Sequence, residues 1–240
     1  MKQVVVIPTY NEAENMPVIL PRIREIMPEL HILVVDDNSP DGTADLVEKL
    51  NETLGGIEVM RRAGKQGLGP AYIAAFLQLL DRGYEAIGQM DADLSHDPSY
   101  LPQMFGAMNE VDIAIGSRYV AGGGTKNWGL SRKIISRGGG LYARTILGLK
   151  VNDLTSGFRV WRAEVLRAMD LPTVGCKGFG FQIEITYRAI RQGFRFKEIP
   201  IIFPNRTAGQ PKMSGGIFWE ALINVWKIRA YRPPQRHEAR

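Results

Sequence analysis

The stretch Gln89-Met90-Asp91-Ala92-Asp93-Leu94-Ser95-His96 sets two carboxylates one residue apart, directly after the apolar run Ala86-Ile87-Gly88. In an extended chain alternate side chains share a face, so Asp91 and Asp93 are able to converge on one point. Carboxylates that close repel, and one keeps its proton unless a cation lies between them. Mg²⁺ or Mn²⁺ meets that need, because hard divalent ions take oxygen ligands from carboxylates and phosphates. Asp-X-Asp alone is a short pattern, satisfied as well by a solvated pair beside the helix start at Asp97-Pro98. Two further loops shift the balance. Pro8-Thr9-Tyr10-Asn11-Glu12 leaves the run Val4 to Ile7, and Asp36-Asp37 leaves Ile32 to Val35. If those runs are parallel strands, all three loops open on one edge, a place for a base, a ribose and a metal-bound diphosphate. Glu12 by itself would be explained by a helix dipole. Gly64-Lys65-Gln66-Gly67-Leu68-Gly69 has neither P-loop nor dinucleotide-fingerprint spacing, so it reads as a close-packing loop that could line the nucleotide site, and hydride chemistry is not expected.

The elements that must position these residues are legible as alternating runs. Strands at Val4 to Pro8, Ile32 to Val35, Ile57 to Met60, Ala86 to Met90 and Asp112 to Gly116 alternate with helices from about Glu14 to Met27, Ala44 to Leu50, Leu68 to Leu80 and Tyr100 to Met108. That alternation means an α/β fold with a mostly parallel central sheet and right-handed crossovers. After the Gly122-Gly123-Gly124 crossing, a helix is expected from about Ser131 to Leu147, a short strand pair over Val151 to Trp161, short and longer helices at Glu164 to Met169 and Phe181 to Arg191, and a Pro200-interrupted edge strand from Phe194 to Phe203. Pro204 to Gly216 reads as a loop, and Ile217 to Tyr231 as a final amphipathic helix with Trp219, Ile223 and Trp226 on one face.

The chain has 240 residues, enough for one α/β domain with an appendage, divided here as 1–215, a helix at 216–232 and a polar tail at 233–240. A net charge of +5 and a pI near 9.3 favour an anionic partner. Nucleic acid is not the expected one, because the basic residues are spread without a stacking-aromatic motif or recognition helix. One cysteine, Cys176, rules out an internal disulfide and a cysteine-rich zinc site. It reads as a small half-buried residue. No apolar run approaches the roughly 20 residues of a membrane span, and Met1 leads straight into a strand. A cytoplasmic protein, at most resting on the cytoplasmic face of a membrane, is expected.

Pro8-Thr9-Tyr10-Asn11-Glu12, Val35 to Thr43, Met90-Asp91-Ala92-Asp93, Gly116-Ser117-Arg118-Tyr119 and Lys212-Met213-Ser214 together resemble the polyprenol-phosphate mannosyltransferases, or dolichol-phosphate mannose synthases, of glycosyltransferase family 2. The likeness runs in order from about residue 3 to 230, and Arg132 to Gly138, Ser156-Gly157-Phe158-Arg159 and the Arg206 to Ser214 loop are its most specific parts. The resemblance implies a GT-A, Rossmann-like nucleotide-sugar fold. It implies that Pro8, Tyr10, Glu12, Val35 and Asp37 hold the nucleoside of GDP-mannose, and that Asp91, Ala92 and Asp93 surround the metal and diphosphate, with Asp93 the most direct ligand. It implies too that Arg118, Arg132 and Ser136 grip the phosphate of a polyprenol or dolichol monophosphate, while Arg206 and Lys212 close over phosphates. Three positions depart from the pattern: Ser95 stands where some relatives carry a glutamine reaching the metal, Asn205 where an aspartate often precedes the loop arginine, and Pro211 where a serine often precedes the lysine.

The residue chemistry agrees independently. Hydroxyl acceptors need a general base, but a phosphate monoester with a second pKa of about 6 is already ionised near neutrality. It needs cations that bring two anions together and a metal that stabilises the departing diphosphate. The second half offers Arg118, Arg132, Lys133, Arg137, Arg206 and Lys212 with no histidine among them; His31, His96 and His237 lie elsewhere. Lys133 and Arg137 read equally as a solvated helix face. Ile134, Ile135, Leu141, Tyr142, Thr145 and Ile146, with the tryptophans of the last helix, suit either a lipid-facing surface or packing on the core. UDP-glucose is the alternative donor, and a partner subunit could supply the membrane anchor.

Overall fold

The computed structural model describes residues 1–176, 178–204 and 224–231, the side chain of Phe179 excepted. In chain order its elements are β1 (Gln3–Thr9), α1 (Met16–Ile26), β2 (His31–Asp36), α2 (Thr43–Leu54), β3 (Ile57–Arg61), α3 (Leu68–Asp81), β4 (Ala86–Gln89), α4 (Leu101–Gly106), β5 (Ile113–Ser117), β6 (Gly124–Lys126), α5 (Leu130–Leu147), β7 (Arg159–Arg162), α6 (Ala163–Ala168), α7 (Phe179–Arg191), β8 (Phe196–Pro200) and β9 (Ile202–Pro204). The β-branched runs of β1 and β2 are buried, as strands covered on both faces must be.

Seven strands form one sheet in the order β3-β2-β1-β4-β7-β5-β8. All are parallel except β7, which is antiparallel to both neighbours. One face buries Tyr72, Phe76 and Leu79 of α3 with Ile185 and Ala189 of α7. The other buries Ile19 and Ile23 of α1 with Met104 and Phe105 of α4. Thr9 is in register with Asp36, and Val6 with Gln89, so the loops after β1, β2 and β4 leave from the same edge.

The second half differs from the sequence expectation in three places. Val151 to Trp161 makes no strand pair; only β7 forms, inserted between β4 and β5, with Trp161 fully buried and its indole N–H donating to Gln89 Oε1 at 2.6 Å. Phe194 to Phe203 is not one strand. Pro200, which has no N–H to give, closes β8, and the chain restarts as β9 in a separate two-stranded sheet with β6. The β6 strand lies in the glycine-rich crossing, where a Cβ on Gly123 would sit 2.5 Å from the Ser117 carbonyl oxygen. Only glycine lets that segment fold back against the end of β5.

Helix α5 buries Gly140, Ala143 and Leu147 near its C-terminal end. Its N-terminal half stands out from the core, with Leu130 73 % and Ile134 62 % exposed and Ile135 and Leu141 exposed beside them. Core packing therefore does not account for those residues. Residues 224–229 are helical, and Val225 and Ile228 join the core while Trp226 faces outward and donates its indole N–H to Tyr142 Oη at 3.0 Å. The remainder of the expected last helix, with Trp219 and Ile223, the boundary near 216 and the tail, lies outside the described residues, as do Asn205, Arg206, Pro211 and Lys212. No helix among the described residues is long and apolar enough to cross a membrane.

Candidate active site

The loops after β1 and β2 brace one another. Asp36 is buried; its Oδ1 accepts from the Thr9 hydroxyl at 2.9 Å and the Ser39 hydroxyl at 2.5 Å, and its Oδ2 accepts from the Ser39 amide at 2.8 Å. Asp41 accepts from the Ala13 amide at 3.0 Å and from the amide and hydroxyl of Thr43 at 3.1 and 2.6 Å. Burial alone would raise the Asp41 pKa, but the Thr43 hydroxyl and these amides reverse that and hold it below the usual carboxylate value. Asn11 and Asn38 take left-handed backbone at φ 59° and 60°, a conformation asparagine tolerates. Asp36 is thus spent on the loop, and Asp37 is the carboxylate that pairs with Arg62. Arg62 also donates to Gln66 at 2.9 Å, and Lys65 places its Nζ 4.0 Å from the centre of the Tyr10 ring. The glycine loop between β3 and α3 therefore lines this edge beside Tyr10 and Asp37. Val35 and Ala92 are buried in the core, main chain included, so they back this edge without presenting an open surface of their own.

The carboxylate pair follows β4 in a tight loop. Leu94 has φ 60°, a left-handed turn that costs a leucine about 1 kcal/mol. It brings the Ser95 amide and hydroxyl onto Asp93 Oδ1, the amide at 3.2 Å. Asp91 receives different support. Its amide donates to His96 Nδ1 at 2.9 Å, which leaves the imidazole proton on Nε2, 4.0 Å from Asp91 Oδ2. His96 is 1 % exposed, stacked on Phe158 at 4.9 Å and met edge-on by Phe203 at 5.4 Å, so it orients the loop from behind. The Asp91 side chain remains 28 % exposed at the edge. These are the hard oxygen donors a divalent ion takes. Among the described residues no three His, Cys, Asp or Glu side chains converge to cage a metal by themselves, so an ion held here would draw its other ligands from phosphate oxygens and water, as Mg²⁺ does.

The basic residues gather beside this loop. Arg118, one residue past β5, is 8 % exposed with its Cζ 5.2 Å from the Phe203 ring and 5.5 Å from the Trp128 ring. Arg132 stacks on Trp128 at 3.9 Å. Ser136 and Tyr119 share a hydrogen bond at 2.6 Å between their hydroxyl oxygens, and Arg137 lies 5.6 Å from the Tyr119 ring. Arg118, Arg132, Ser136 and Arg137 are thereby brought together around two aromatic rings, and the Phe203 ring links them to His96 and the Asp91 loop. Arg132, Lys133 and Arg137 are all exposed on α5, and of the last two Arg137 is the one that lies over an aromatic ring of the cluster.

The sequence reading did not find the groups behind this cluster. Asp153 receives the Arg118 guanidinium and amide, and Glu198 holds the Asp153 segment. Arg159, on β7, is fully buried and among the described residues donates to neutral oxygens, including the Ser156, Leu154 and Gln182 carbonyls at 2.8, 2.7 and 3.0 Å. Burial lowers its pKa to about 9, which leaves it cationic at neutral pH. It ties the turn before β7 to α7, and that turn sets Gly157 against the carboxylate of Asp91. Asp153 is 35 residues from Arg118 in sequence, and no local spacing signals that pair.

A family model described as Glycosyl transferase family 2 matches residues 4–169. The chain belongs to glycosyltransferase family 2. It is 48 % identical over 232 residues to an undecaprenyl-phosphate mannosyltransferase of Micrococcus luteus, covering 96 % of both chains. It is 46 % identical to a polyprenol monophosphomannose synthase of Mycolicibacterium smegmatis, covering 95 % of this chain and 88 % of the other. The fold is also that of glucosyl-3-phosphoglycerate synthase from Mycobacterium tuberculosis, crystallised with Mn²⁺, UDP-glucose and phosphoglyceric acid, at a TM-score of 0.70, 15 % identity and coverage of 98 % of this chain and 81 % of that one. This glycosyltransferase family 2 chain thus has the GT-A-like arrangement that its motifs imply.

Proposed function

We propose that the protein transfers a mannosyl residue from GDP-mannose to a polyprenol or dolichol monophosphate, with inversion at the anomeric carbon. The observation that carries this reading is the meeting of Arg118, Arg132 and Ser136 around Trp128 and Tyr119, one ring away from the Asp91 loop. A site built from guanidinium groups suits an acceptor that arrives ionised. The names of the two relatives that share nearly half of its residues support the same transfer.

In this reading Pro8, Tyr10, Glu12 and Asp37 hold the donor, with Val35 and Ala92 packed behind them. Asp91 and Asp93 hold Mg²⁺ or Mn²⁺, which when bound stabilises charge on the departing diphosphate. Arg118, Arg132 and Ser136 orient the acceptor phosphate so that one of its oxygens faces C1 of the sugar. The new C1–O bond forms as the bond from C1 to the diphosphate breaks, and GDP leaves with the electron pair. Arg206 and Lys212 then serve as further phosphate contacts. The exposed apolar residues of α5, flanked by Arg132, Lys133 and Arg137, rest on the cytoplasmic face of an anionic membrane where the lipid acceptor resides.

Transfer of radiolabel into the organic phase from GDP-mannose and from UDP-glucose, each with polyprenyl phosphate and with or without chelator, tests this. GDP-mannose alone should support transfer, and chelator should abolish it. Transfer from UDP-glucose alone would replace the donor assignment, and transfer that survives chelation would remove the metal from it.

A further inference from the structure

The segment between α5 and β7 has no regular structure, yet Asp153 within it is 1 % exposed and must hold a guanidinium in one orientation. Asp153 Oδ2 accepts from the Arg118 amide at 3.0 Å and from Nε at 2.7 Å, while Oδ1 accepts from Nη2 at 2.6 Å. Thr155 accepts from the same Nη2 at 2.8 Å. These bonds occupy one edge of the fork and leave Nη1 pointing away from Asp153. Burial alone would lower the Arg118 pKa, and Asp153 reverses that, so the cation is secure.

What fixes Asp153 is a second carboxylate. Glu198 Oε1 accepts from the Asp153 amide at 3.0 Å, and Oε2 accepts from the Asn152 amide at 2.9 Å and the Asn152 Nδ2 at 2.8 Å. Glu198 sits on β8 in register with Ile115 of β5, the strand whose end delivers Arg118. Asn152 also accepts from Arg144 Nη1 at 2.8 Å, on the helix that carries Arg132 and Ser136. One side chain therefore braces the loop that aims Arg118 and couples it to α5. A carboxylate suits this place because all three incoming groups are N–H donors, and it alone offers acceptors without a donor of its own.

We infer that Glu198 is a positioning residue for the acceptor phosphate, acting through Asp153 on the Arg118 guanidinium. The inference rests on the reading of Arg118 as a ligand of the acceptor phosphate.

The test uses Glu198→Gln, which keeps the shape but turns an amide donor toward the Asn152 and Asp153 donors. Binding of farnesyl monophosphate and the KM for it as acceptor should each weaken about tenfold, the size of one misdirected charge-assisted bond. The KM for GDP-mannose should stay within about twofold, since the donor loops are untouched. In an Arg118→Lys background, where no fork remains to be aimed, Glu198→Gln should change farnesyl phosphate binding by less than about twofold. A full tenfold loss in that background, or an unchanged acceptor KM in the wild-type background, overturns the inference, as does an equal loss in both substrates. If Glu198→Gln does not fold, Asp153→Asn is read in the same way and must show the same split. Should the wild-type protein bind farnesyl phosphate but transfer nothing to it, the functional reading fails while the binding cycle still decides the role of Glu198.

Discussion

Asp93 owes its geometry to its own loop, because the left-handed turn at Leu94 returns the Ser95 amide and hydroxyl to one of its oxygens. That cap points the carboxylate and lowers its freedom to follow a metal. Asp93→Asn is expected to lower kcat by about 10²- to 10³-fold, the loss seen when a group stabilising a departing anion is removed. Ser95→Ala should keep kcat at saturating metal while weakening apparent metal affinity by about 10- to 100-fold; a metal titration of initial rates separates the two. Cys176 belongs to the opposite class. Burial, with Glu184 beside it, pushes its thiol up to about 12, so almost none is thiolate at neutral pH. Alkylation by iodoacetamide near pH 8 should be far slower in the folded protein than in urea, and equal rates would refute the burial argument.

Among the elements, the crossing from β5 into β6 is the most exacting. Gly123→Ala would drive a methyl group into the Ser117 carbonyl and displace the residue that follows, Arg118. A loss of about 1–3 kcal/mol in a urea titration, with a larger proportional loss of transfer than of donor binding, is expected. Helix α5 gives a complementary prediction. Ile134 and Ile135 are exposed, so Ile134→Asp with Ile135→Asp should leave the urea midpoint unchanged and weaken flotation with anionic liposomes. The parallel strands and their loops were legible because β-branched runs and turn residues are local signals. The antiparallel β7 was not, since its place between β4 and β5 depends on pairing Arg159 with both Gln89 and Ile115. Three-residue β6, composed of Gly124, Thr125 and Lys126, carries no strand signal at all. In the site the charged motifs could be read, while Asp153 and Glu198 could not, because their partners are set by tertiary contact across 35 and 45 residues.

At the scale of the molecule, the proposed site lies at one end of the parallel strands and a half-buried titratable group at the other. The loops that carry Tyr10, Asp37 and Asp91 crowd the edge beyond Thr9 and Asp36, whereas His31 begins β2 at the other end, with its Nδ1 2.6 Å from the Tyr84 hydroxyl. Burial lowers the His31 pKa below 6.5 in spite of Glu58. The unfolded chain then binds more protons than the folded one below that value, so the stability due to a neutral His31 is complete above it and is lost as pH falls through the lowered folded value. Urea midpoints between about pH 5 and 7.5 should decline on acidification in the wild type and decline less in His31→Gln. The functional edge makes the stronger claim, that two anionic substrates meet between a divalent ion on the Asp91 loop and the guanidinium groups around Trp128. Paramagnetic broadening of the ³¹P resonance of farnesyl monophosphate by Mn²⁺ in the presence of GDP tests it directly. The wild-type protein should broaden that resonance strongly, and both Asp93→Asn and Arg118→Ala should abolish the effect. A wild-type protein that binds Mn²⁺, GDP and farnesyl phosphate together yet leaves the lipid phosphate resonance sharp would contradict the account.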